Sequence, residues 1–379
     1  MEKVIYVTKP LMPKMDRYVD ELKKIWNAGW LTNNGPEYME FQKKLEELFG
    51  SKIELYVNGH MALDIAIKAL ELPKGGEVIT TPYTFASTTH ALVMNGLTPV
   101  FCDIKEDYTL DEEKIEPLIT DKTVAILPVH VYGCICNVEK IDEIAKKHCL
   151  KVIYDAAHAF AIKKNGRSVA EFGDISMFSL HATKVFNSIE GGILSYHDEK
   201  YAKELRNLRN FGIANEESVT SVGLNAKMNE FAAAMGICNL ELLEEAIAVR
   251  KQIVESYLAA LDGMKGIKTL NYQAFEEKQI EYNYAYMPVE IDENTAGYTR
   301  DDLYRFLQTK KIVARKYFYP LVTDYECYKE RFDSSLTPAA RQISRRILTL
   351  PIAASMTEKE VERCCRALQE MAGRVRHEG

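Results

Sequence analysis

Short runs of β-branched and other apolar residues alternate with helical patterns through the first half of the chain. The run "IELYVNG" at 53–59 is followed by "HMALDIAIKALEL", in which Leu63, Ile67 and Leu70 recur on one helical face. The same order is repeated by "EVITTP" and "TFASTTHALVMN", by "TPVFCDI" and "TLDEEKIEPLI", and by "TVAILPVHVYG" and "NVEKIDEIAKKHCL", before the strand "KVIYDAA". Repeated β–α units with continuously apolar strands predict an α/β fold with a mainly parallel central sheet flanked by helices.

The pattern changes after residue 197, beyond two further predicted strands, "GDISMFSL" and "GGILSYH". A helix over about 198–210, an irregular stretch to Gly223 and a long helix over about 225–262 follow. The remainder predicts a smaller α+β domain, with a strand in "YNYAYMPVEI", a helix in "TRDDLYRFLQTKK" and a closing helix from about 357. Because 379 residues exceed one typical core, we expect a large domain over 1–240, including the N-terminal segment, and a small domain over 241–379.

Charge and composition narrow the function classes. A formal net charge of −7 without a basic block argues against a nucleic-acid or anionic-membrane surface. No apolar run approaches the ~20 residues that span a bilayer, and the N-terminus lacks the pattern of a signal peptide, so we expect a cytoplasmic protein. The eight cysteines have neither the density of a disulfide scaffold nor the spacing of a zinc site, and we expect no metal.

Polar clusters follow several of the predicted strands. "NGH" follows the first strand, "TPYTF" the second, "DAAH" follows "KVIY", and "SLHATK" follows "GDISMF". Ligands of open parallel sheets bind at the carboxyl ends of the strands, so these clusters are expected to converge on one crevice. Lys184, in "SLHATKVFNSIEGG", is the unusual member, because a lysine in such a turn is ordinarily a solvated surface residue.

A Schiff base to an aldehyde gives a lysine at a strand end a chemical use. Pyridoxal phosphate uses such a lysine together with a carboxylate that keeps its pyridine nitrogen protonated. Asp155 ends an apolar strand and suits that role, with a helix N-cap or turn aspartate as the alternative. The amides of Gly59 and His60 begin a helix and offer an anion site, to which Ser179 could add a hydroxyl. Phe85 is placed to cover the ring, although a phenylalanine at a helix start is as often core.

Three motifs in order carry a family resemblance: "DAAHAFA", "SLHATKVFNSIEGG" and "VGLNAKMNEFAAAMG". They resemble the DegT/DnrJ/EryC1/StrS family of nucleotide-sugar aminotransferases, which are fold-type I pyridoxal phosphate enzymes, and the resemblance extends over essentially the whole chain. It implies pyridoxal 5′-phosphate as cofactor, with the pyridoxamine (PMP) form between the half-reactions. It also implies a homodimer with shared active sites.

The resemblance implies a role for each candidate residue. Lys184 would bind the cofactor covalently and then move protons, while Asp155 would pair with the pyridine nitrogen. His158 would lie near the ring hydroxyl, where many relatives have glutamine; a satisfied core histidine is the alternative. The other implied contacts are to the phosphate from Ser179 and the amides of Gly59 and His60, to the ring from Phe85, and to the phosphate of the neighbouring subunit's cofactor from Asn225.

This chain departs from the family pattern at three places. "NGHMAL" stands where relatives commonly read "GTxAL", so His60 replaces a hydroxyl donor. "YFYPLV" places Val322 where a histidine is usual, and "GLNAKM" has Ala226 and Lys227 where relatives have tyrosine and arginine. These changes leave the amide contact of His60 intact but put side-chain contacts at these positions in question.

The motifs look closest to the enzymes that convert dTDP-4-keto-6-deoxyglucose into dTDP-4-amino-4,6-dideoxyglucose, with L-glutamate as the implied amino donor. Three alternatives stay open at this point. One is an aminotransferase for a 3-keto or UDP-linked sugar. Another is the dehydratase branch of the family, against which Lys184 argues because histidine replaces the lysine there. The last is a non-catalytic protein that binds a sugar nucleotide or the cofactor.

Overall fold

The computed structural model describes residues 3–378, with side chains as far as Arg374. Its helices are α1 Met15–Ala28, α2 Pro36–Phe49, α3 Gly59–Ala69, α4 Ala86–Met94, α5 Val138–His148, α6 Lys200–Arg209, α7 Glu230–Leu240, α8 Leu243–Leu261, α9 Tyr272–Glu277, α10 Glu293–Ala296, α11 Arg300–Thr309, α12 Pro338–Arg346 and α13 Glu358–Glu378. Its strands are β1 Lys52–Tyr56, β2 Glu77–Thr80, β3 Thr98–Phe101, β4 Thr123–Ile126, β5 Lys151–Asp155, β6 Lys163–Lys164, β7 Arg167–Ser168, β8 Ile175–Ser179, β9 Gly192–Tyr196, β10 Ile213–Asn215, β11 Ser218–Val219, β12 Ile267–Thr269, β13 Ile280–Glu281, β14 Met287–Ile291 and β15 Ile347–Leu350.

The central sheet has seven strands in the order β1-β9-β8-β5-β4-β2-β3. Strands β3, β2, β4, β5 and β8 are parallel to their neighbours in that row, whereas β9 is antiparallel to both β8 and β1. The predicted mainly parallel sheet is therefore confirmed. Because most of the strands point the same way, their carboxyl ends lie at one edge of the sheet.

Both faces of the sheet are buried, which explains the continuously apolar strands. Along β5, Ile153 packs in one hydrophobic cluster, while Val152 and Tyr154 pack in another. Successive side chains of a strand point to opposite faces, so the two clusters lie on opposite sides of the sheet. Helix α3 packs against β8 and β9, and α5 packs against β5.

A second hydrophobic core is built by the C-terminal part of the chain. The antiparallel sheet β12-β14-β15 packs with α8, α11 and α13 around residues such as Val289, Leu303 and Leu348. Ile5 also belongs to this core and pairs with Ile312. The domain boundary at residue 240 stays a prediction.

Two predicted helices are wrong. The single helix expected over 225–262 is two helices, α7 and α8, and it does not begin at Asn225: residues 225–228 are extended, and Asn229 caps α7 by accepting the amide of Ala232 at 2.9 Å. The segment "TLDEEKIEPLI" forms only two short turns, at Glu112–Lys114 and Glu116–Leu118. Pro117, which has no amide hydrogen, stands inside that segment.

No helix within residues 3–378 is both long and apolar enough to cross a membrane.

Candidate active site

A cavity of about 710 Å³ opens at the carboxyl edge of the central sheet. On one side it is bounded by the ends of β5 and β8 and by the beginnings of α3 and α4, and on the other by residues from the C-terminal part of the chain. Seven of the predicted site residues line it together: Gly59, His60, Phe85, Asp155, His158, Ser179 and Lys184. The structure therefore brings together the polar clusters that follow the ends of the predicted strands.

Lys184 lies half-buried in the turn between β8 and β9, where its amide donates to His181 O at 2.9 Å. Its Nζ is 3.5 Å from the hydroxyl of Tyr286. Burial lowers the pKa of Lys184 to about 8, while the charge of Asp155 acts in the opposite direction. About one tenth of this amine is thus neutral at pH 7, a far larger share than for a solvated loop lysine.

Asp155 is buried at the end of β5. Its Oδ2 accepts the Thr88 hydroxyl at 2.8 Å, and its Oδ1 accepts the amide of Ala157 at 3.1 Å. Burial raises the pKa of this carboxyl although both hydrogen bonds and Lys184 oppose the rise. Among the residues described, no cation lies within ion-pair distance of Asp155, so Lys184 acts on this carboxylate only from further away.

His158 is buried beside Asp155 and packs against aromatic rings. Its Nδ1 accepts the amide of Tyr132 at 3.0 Å, which assigns the proton of the neutral ring to Nε2. The ring centroid is 4.6 Å from that of Tyr286 and 5.9 Å from that of Phe318. Burial lowers the pKa of His158 well below its ordinary value, so the ring is a neutral donor at the cavity wall.

The beginning of α3 approaches the end of β8 very closely. A Cβ on Gly59 would lie 3.0 Å from the Cβ of Ser179, so glycine allows this contact. The first amides of a helix have no intrahelical acceptor, and those of Gly59 and His60 stand at this end of α3. The imidazole of His60 is held by Ser87, with Nδ1 and Oγ 2.8 Å apart. The arrangement can receive an anion at the amides beside the Ser179 hydroxyl.

Phe85 stands at the N-cap position of α4 and is 59% exposed. A core phenylalanine would be buried, so Phe85 is not a core residue; its ring lines the cavity, and its contact with a ligand stays a prediction.

Asn225 is the one predicted site residue that the structure does not bring into this cavity. It lies in the extended segment before α7, bridges to Asn210, and accepts a hydrogen bond from Lys227 Nζ at 2.7 Å. Val322, the departure noted in "YFYPLV", is buried, and its amide donates to Pro82 O at 3.2 Å.

The sequence reasoning missed several residues that line the cavity. Four of them, Tyr286, Arg315, Tyr317 and Phe318, come from the C-terminal part of the chain. The rule that found the other residues applies to the ends of parallel strands, and these four lie before or between the strands of an antiparallel sheet.

The fold and the site together define a class: a lysine at the carboxyl edge of a mainly parallel sheet, across a cavity from a buried aspartate, is typical of fold-type I pyridoxal phosphate enzymes. Residues 14–369 match the DegT/DnrJ/EryC1/StrS aminotransferase family, and the chain belongs to this family. It is a pyridoxal-phosphate-dependent aminotransferase, and solved structures with this fold include PLP and PMP forms.

Two curated relatives carry the same name, dTDP-4-amino-4,6-dideoxy-D-glucose transaminase. The protein from Escherichia coli is 41% identical over 372 residues, covering 97% of this chain and 98% of the relative. The protein from Shigella dysenteriae is 38% identical over 373 residues, covering 98% of this chain and 100% of the relative. A crystal structure of DesI in the presence of its TDP-sugar product superposes with a TM-score of 0.93 at 31% identity, covering 100% of this chain and 95% of DesI. The resemblance stated from the motifs is confirmed.

Proposed function

We propose that this aminotransferase moves the amino group of L-glutamate to C4 of dTDP-4-keto-6-deoxyglucose and so forms dTDP-4-amino-4,6-dideoxyglucose. One observation carries the proposal of catalysis. A single cavity contains Lys184, whose pKa is lowered, and the buried carboxylate of Asp155, which makes no ion pair with the residues described. The two same-named relatives and the TDP-sugar product of DesI support the choice of sugar nucleotide.

The residues of the cavity fit pyridoxal phosphate. Asp155 lacks a cationic partner among the described residues, and a protonated pyridine nitrogen would be that partner. The phosphate would lie at the amides of Gly59 and His60 and the hydroxyl of Ser179. Phe85 would cover the ring, and His158 would donate from Nε2 to the ring hydroxyl. When bound, the cofactor supplies an electron sink for the carbon from which a proton is removed.

Each protein group has a defined task in this scheme. Asp155 would hold a proton on the pyridine nitrogen and so maintain the electron sink. Lys184 would bind the cofactor aldehyde and, as a free amine, would take a proton from one carbon and return it to another. Its lowered pKa suits both tasks, since the neutral amine is the nucleophile and the base. The aromatic wall of Tyr286, Tyr317 and Phe318 limits the access of water to these steps.

We further propose that the active form is a homodimer. The hairpin of β10 and β11 and its flanks expose apolar side chains, among them Phe211, Val219 and Val222, the last of which is 93% exposed. A second copy of the chain would cover such a surface. Asn225 lies directly after this hairpin, outside the cavity of its own chain, and we assign it to the cofactor phosphate of the neighbouring subunit. The cytoplasmic location stays a prediction.

The test of the substrate is a comparison of three sugar nucleotides with L-glutamate as donor. We expect mass spectrometry to detect the amino sugar from dTDP-4-keto-6-deoxyglucose, and NMR to place nitrogen on C4, with much slower turnover of the 3-keto isomer and of a UDP-4-keto sugar. The Lys184→Ala variant is the control for uncatalysed amination. Preferred use of the 3-keto or UDP-linked compound would replace the proposed substrate. Loss of water from the sugar without gain of nitrogen would contradict the proposed reaction.

A further inference from the structure

The wall of the cavity that comes from the C-terminal part of the chain carries positive charge and no negative charge. Its side chains are apolar or aromatic apart from one guanidinium, that of Arg315: Ala285, Tyr286, Arg315, Tyr317, Phe318, Leu350 and Ile352. The two carboxylates that line the cavity, Asp155 and Glu190, lie on the opposite side, where Glu190 is 3.5 Å from His181 Nε2.

Arg315 is held in place by its backbone and has no carboxylate partner. Its amide donates to Thr349 O at 3.1 Å, and its carbonyl accepts from the amide of Thr349 at 2.7 Å and from the Thr349 hydroxyl at 3.0 Å. Its guanidinium lies 5.9 Å from the centre of the Tyr317 ring and forms no ion pair with the residues described. The neighbouring Lys316, by contrast, pairs with Asp301 at 2.7 Å.

A second positive charge lies behind the same wall. Arg250 is buried, and its Nη1 donates to the carbonyls of Ala285 at 3.3 Å and Ile352 at 3.5 Å. Burial lowers the pKa of Arg250 to about 10, which leaves it charged at neutral pH. It also has no carboxylate partner among the described residues. The wall therefore presents an uncompensated positive potential to the cavity.

We propose that Arg315 binds a carboxylate of the amino-acid donor. A guanidinium matches a carboxylate with two parallel hydrogen bonds, and an aromatic neighbour keeps its plane in place. The diphosphate of a sugar nucleotide is the other anion that the cavity must admit. The carboxylate is favoured by position, because Arg315, Tyr317 and Lys184 line the same cavity, Arg315 lies 5.9 Å from the centre of the Tyr317 ring, and Tyr317 is near enough to Lys184 to act on its charge. An amino acid carries its α-carboxylate two bonds from its nitrogen, whereas a diphosphate is separated from the keto carbon by the sugar ring.

This inference rests on the proposed function only in taking L-glutamate as donor, and the two half-reactions separate it from the choice of sugar. The first arm mixes the purified PLP-form dimer with L-glutamate alone and follows the loss of the cofactor's visible absorbance. The second arm mixes the PMP form with the sugar nucleotide and follows its return. For Arg315→Gln we expect the glutamate concentration at half-maximal rate to rise about tenfold or more, as for a lost charged hydrogen bond. The sugar nucleotide concentration at half-maximal rate in the second arm should change less than about twofold.

Two variants control the experiment. Arg315→Lys keeps the charge but cannot form the two parallel hydrogen bonds. In the first arm it should raise the glutamate concentration at half-maximal rate by an intermediate amount. Lys316→Gln removes a neighbouring charge that is paired outside the cavity and should change neither arm. L-Alanine as donor identifies the carboxylate: an equal loss with alanine points to the α-carboxylate, and a loss confined to glutamate points to its side chain. A larger effect in the sugar arm would assign Arg315 to the diphosphate, and no effect in either arm would make it a solvated rim residue; both results overturn the proposal.

Discussion

Lys184 and Asp155 affect each other's pKa within one cavity. Burial disfavours the charged form of both groups, lowering the pKa of Lys184 to about 8 and raising that of Asp155. Their attraction opposes both shifts, so each side chain keeps part of its ordinary charge because the other is present. Binding of a cationic pyridine ring would give Asp155 a closer partner and release Lys184 from that role.

We expect Asp155→Asn to keep the fold and cofactor binding but to lower turnover by about 100-fold or more, because the amide cannot hold the pyridine nitrogen protonated. The measurement is the rate of the glutamate half-reaction together with the cofactor's absorbance spectrum. Asp103→Asn is the matched control, since Asp103 is another buried aspartate, bound to the amides of Ala339 and Ala340 away from the cavity. Near-normal turnover of the Asp155 variant would leave Asp155 a structural turn residue.

At the residue scale, the sequence predicts where a side chain lies when the adjacent residues show which strand or helix it ends or begins. Asp155 and Ser179 end apolar strands, so the sheet rule places them at one edge. Thr88 and Tyr286 have no such signal: one hydroxyl reaches Asp155 across 67 positions of sequence and the other approaches Lys184 across 102. Such contacts depend on how separate elements pack, which a local pattern does not contain.

At the scale of elements, the contact between α1, α2 and α7 contains buried acids that the proposed mechanism does not use. Glu37 shares a hydrogen bond with Glu21, and Glu230 Oε2 accepts the amide of Glu37 at 2.8 Å. Burial and the neighbouring Glu21 raise the pKa of Glu37 to about 7. Burial also favours the neutral form of Glu21, but hydrogen bonds from Lys24 and Arg17 hold the pKa of Glu21 below its ordinary value. In the folded protein Glu37 therefore keeps its proton at pH values at which a solvated glutamate has lost it.

The contribution of Glu37 to stability should fall as pH rises from about 4.5 to about 7. Within that window the folded chain retains a proton that the unfolded chain has released, so the unfolded state gains as pH increases. Glu37→Gln keeps a neutral donor at the site and should flatten this slope, by on the order of 1 kcal/mol per pKa unit at most. Apparent free energies of urea unfolding at pH 5.5 and 8 provide the measurement. Glu47→Gln, on the exposed side of α2 and not among the groups that shift the pKa of Glu37, should retain the slope of the unaltered protein; equal slopes for all three chains would contradict the assignment.

The wrong prediction of one long helix over 225–262 also concerns the scale of elements. Met228, Phe231, Met235, Cys238 and Leu242 repeat at helical spacing, yet Met228 lies in extended backbone and Leu242 between two helices. Apolar periodicity reports burial on one side, and an extended segment that is followed by a helix can bury the same positions. The capping asparagine, Asn229, was the available signal for the start of α7.

At the scale of the whole molecule, each active site is expected to need two chains. Lys184→Ala and Asn225→Ala dimers should each have little activity, because the first lacks the reacting amine and the second lacks a phosphate contact from the partner. In a mixed dimer, one site carries both lesions and the other carries neither, so up to half of the sites should recover. The measurement is turnover after subunit exchange, followed by mass spectrometry of the intact dimers, with each variant alone as control. Absence of recovery despite confirmed exchange, or full activity of a monomer, would reject the shared site.

The presence of Ile5 in the second core has a consequence for the order of folding. Ile5 pairs with Ile312, and the same core includes residues as late as Met371, so this core closes only after residue 371 has left the ribosome. The central sheet, whose strands all lie between residues 52 and 196, can form much earlier. On this order, Asp155 and Lys184 would be in place before the wall that carries Tyr286 and Arg315 is formed. A chain still being synthesised would hold this pair in an open groove, and the enclosed chamber would arise last, when Ile5 and Met371 join one core.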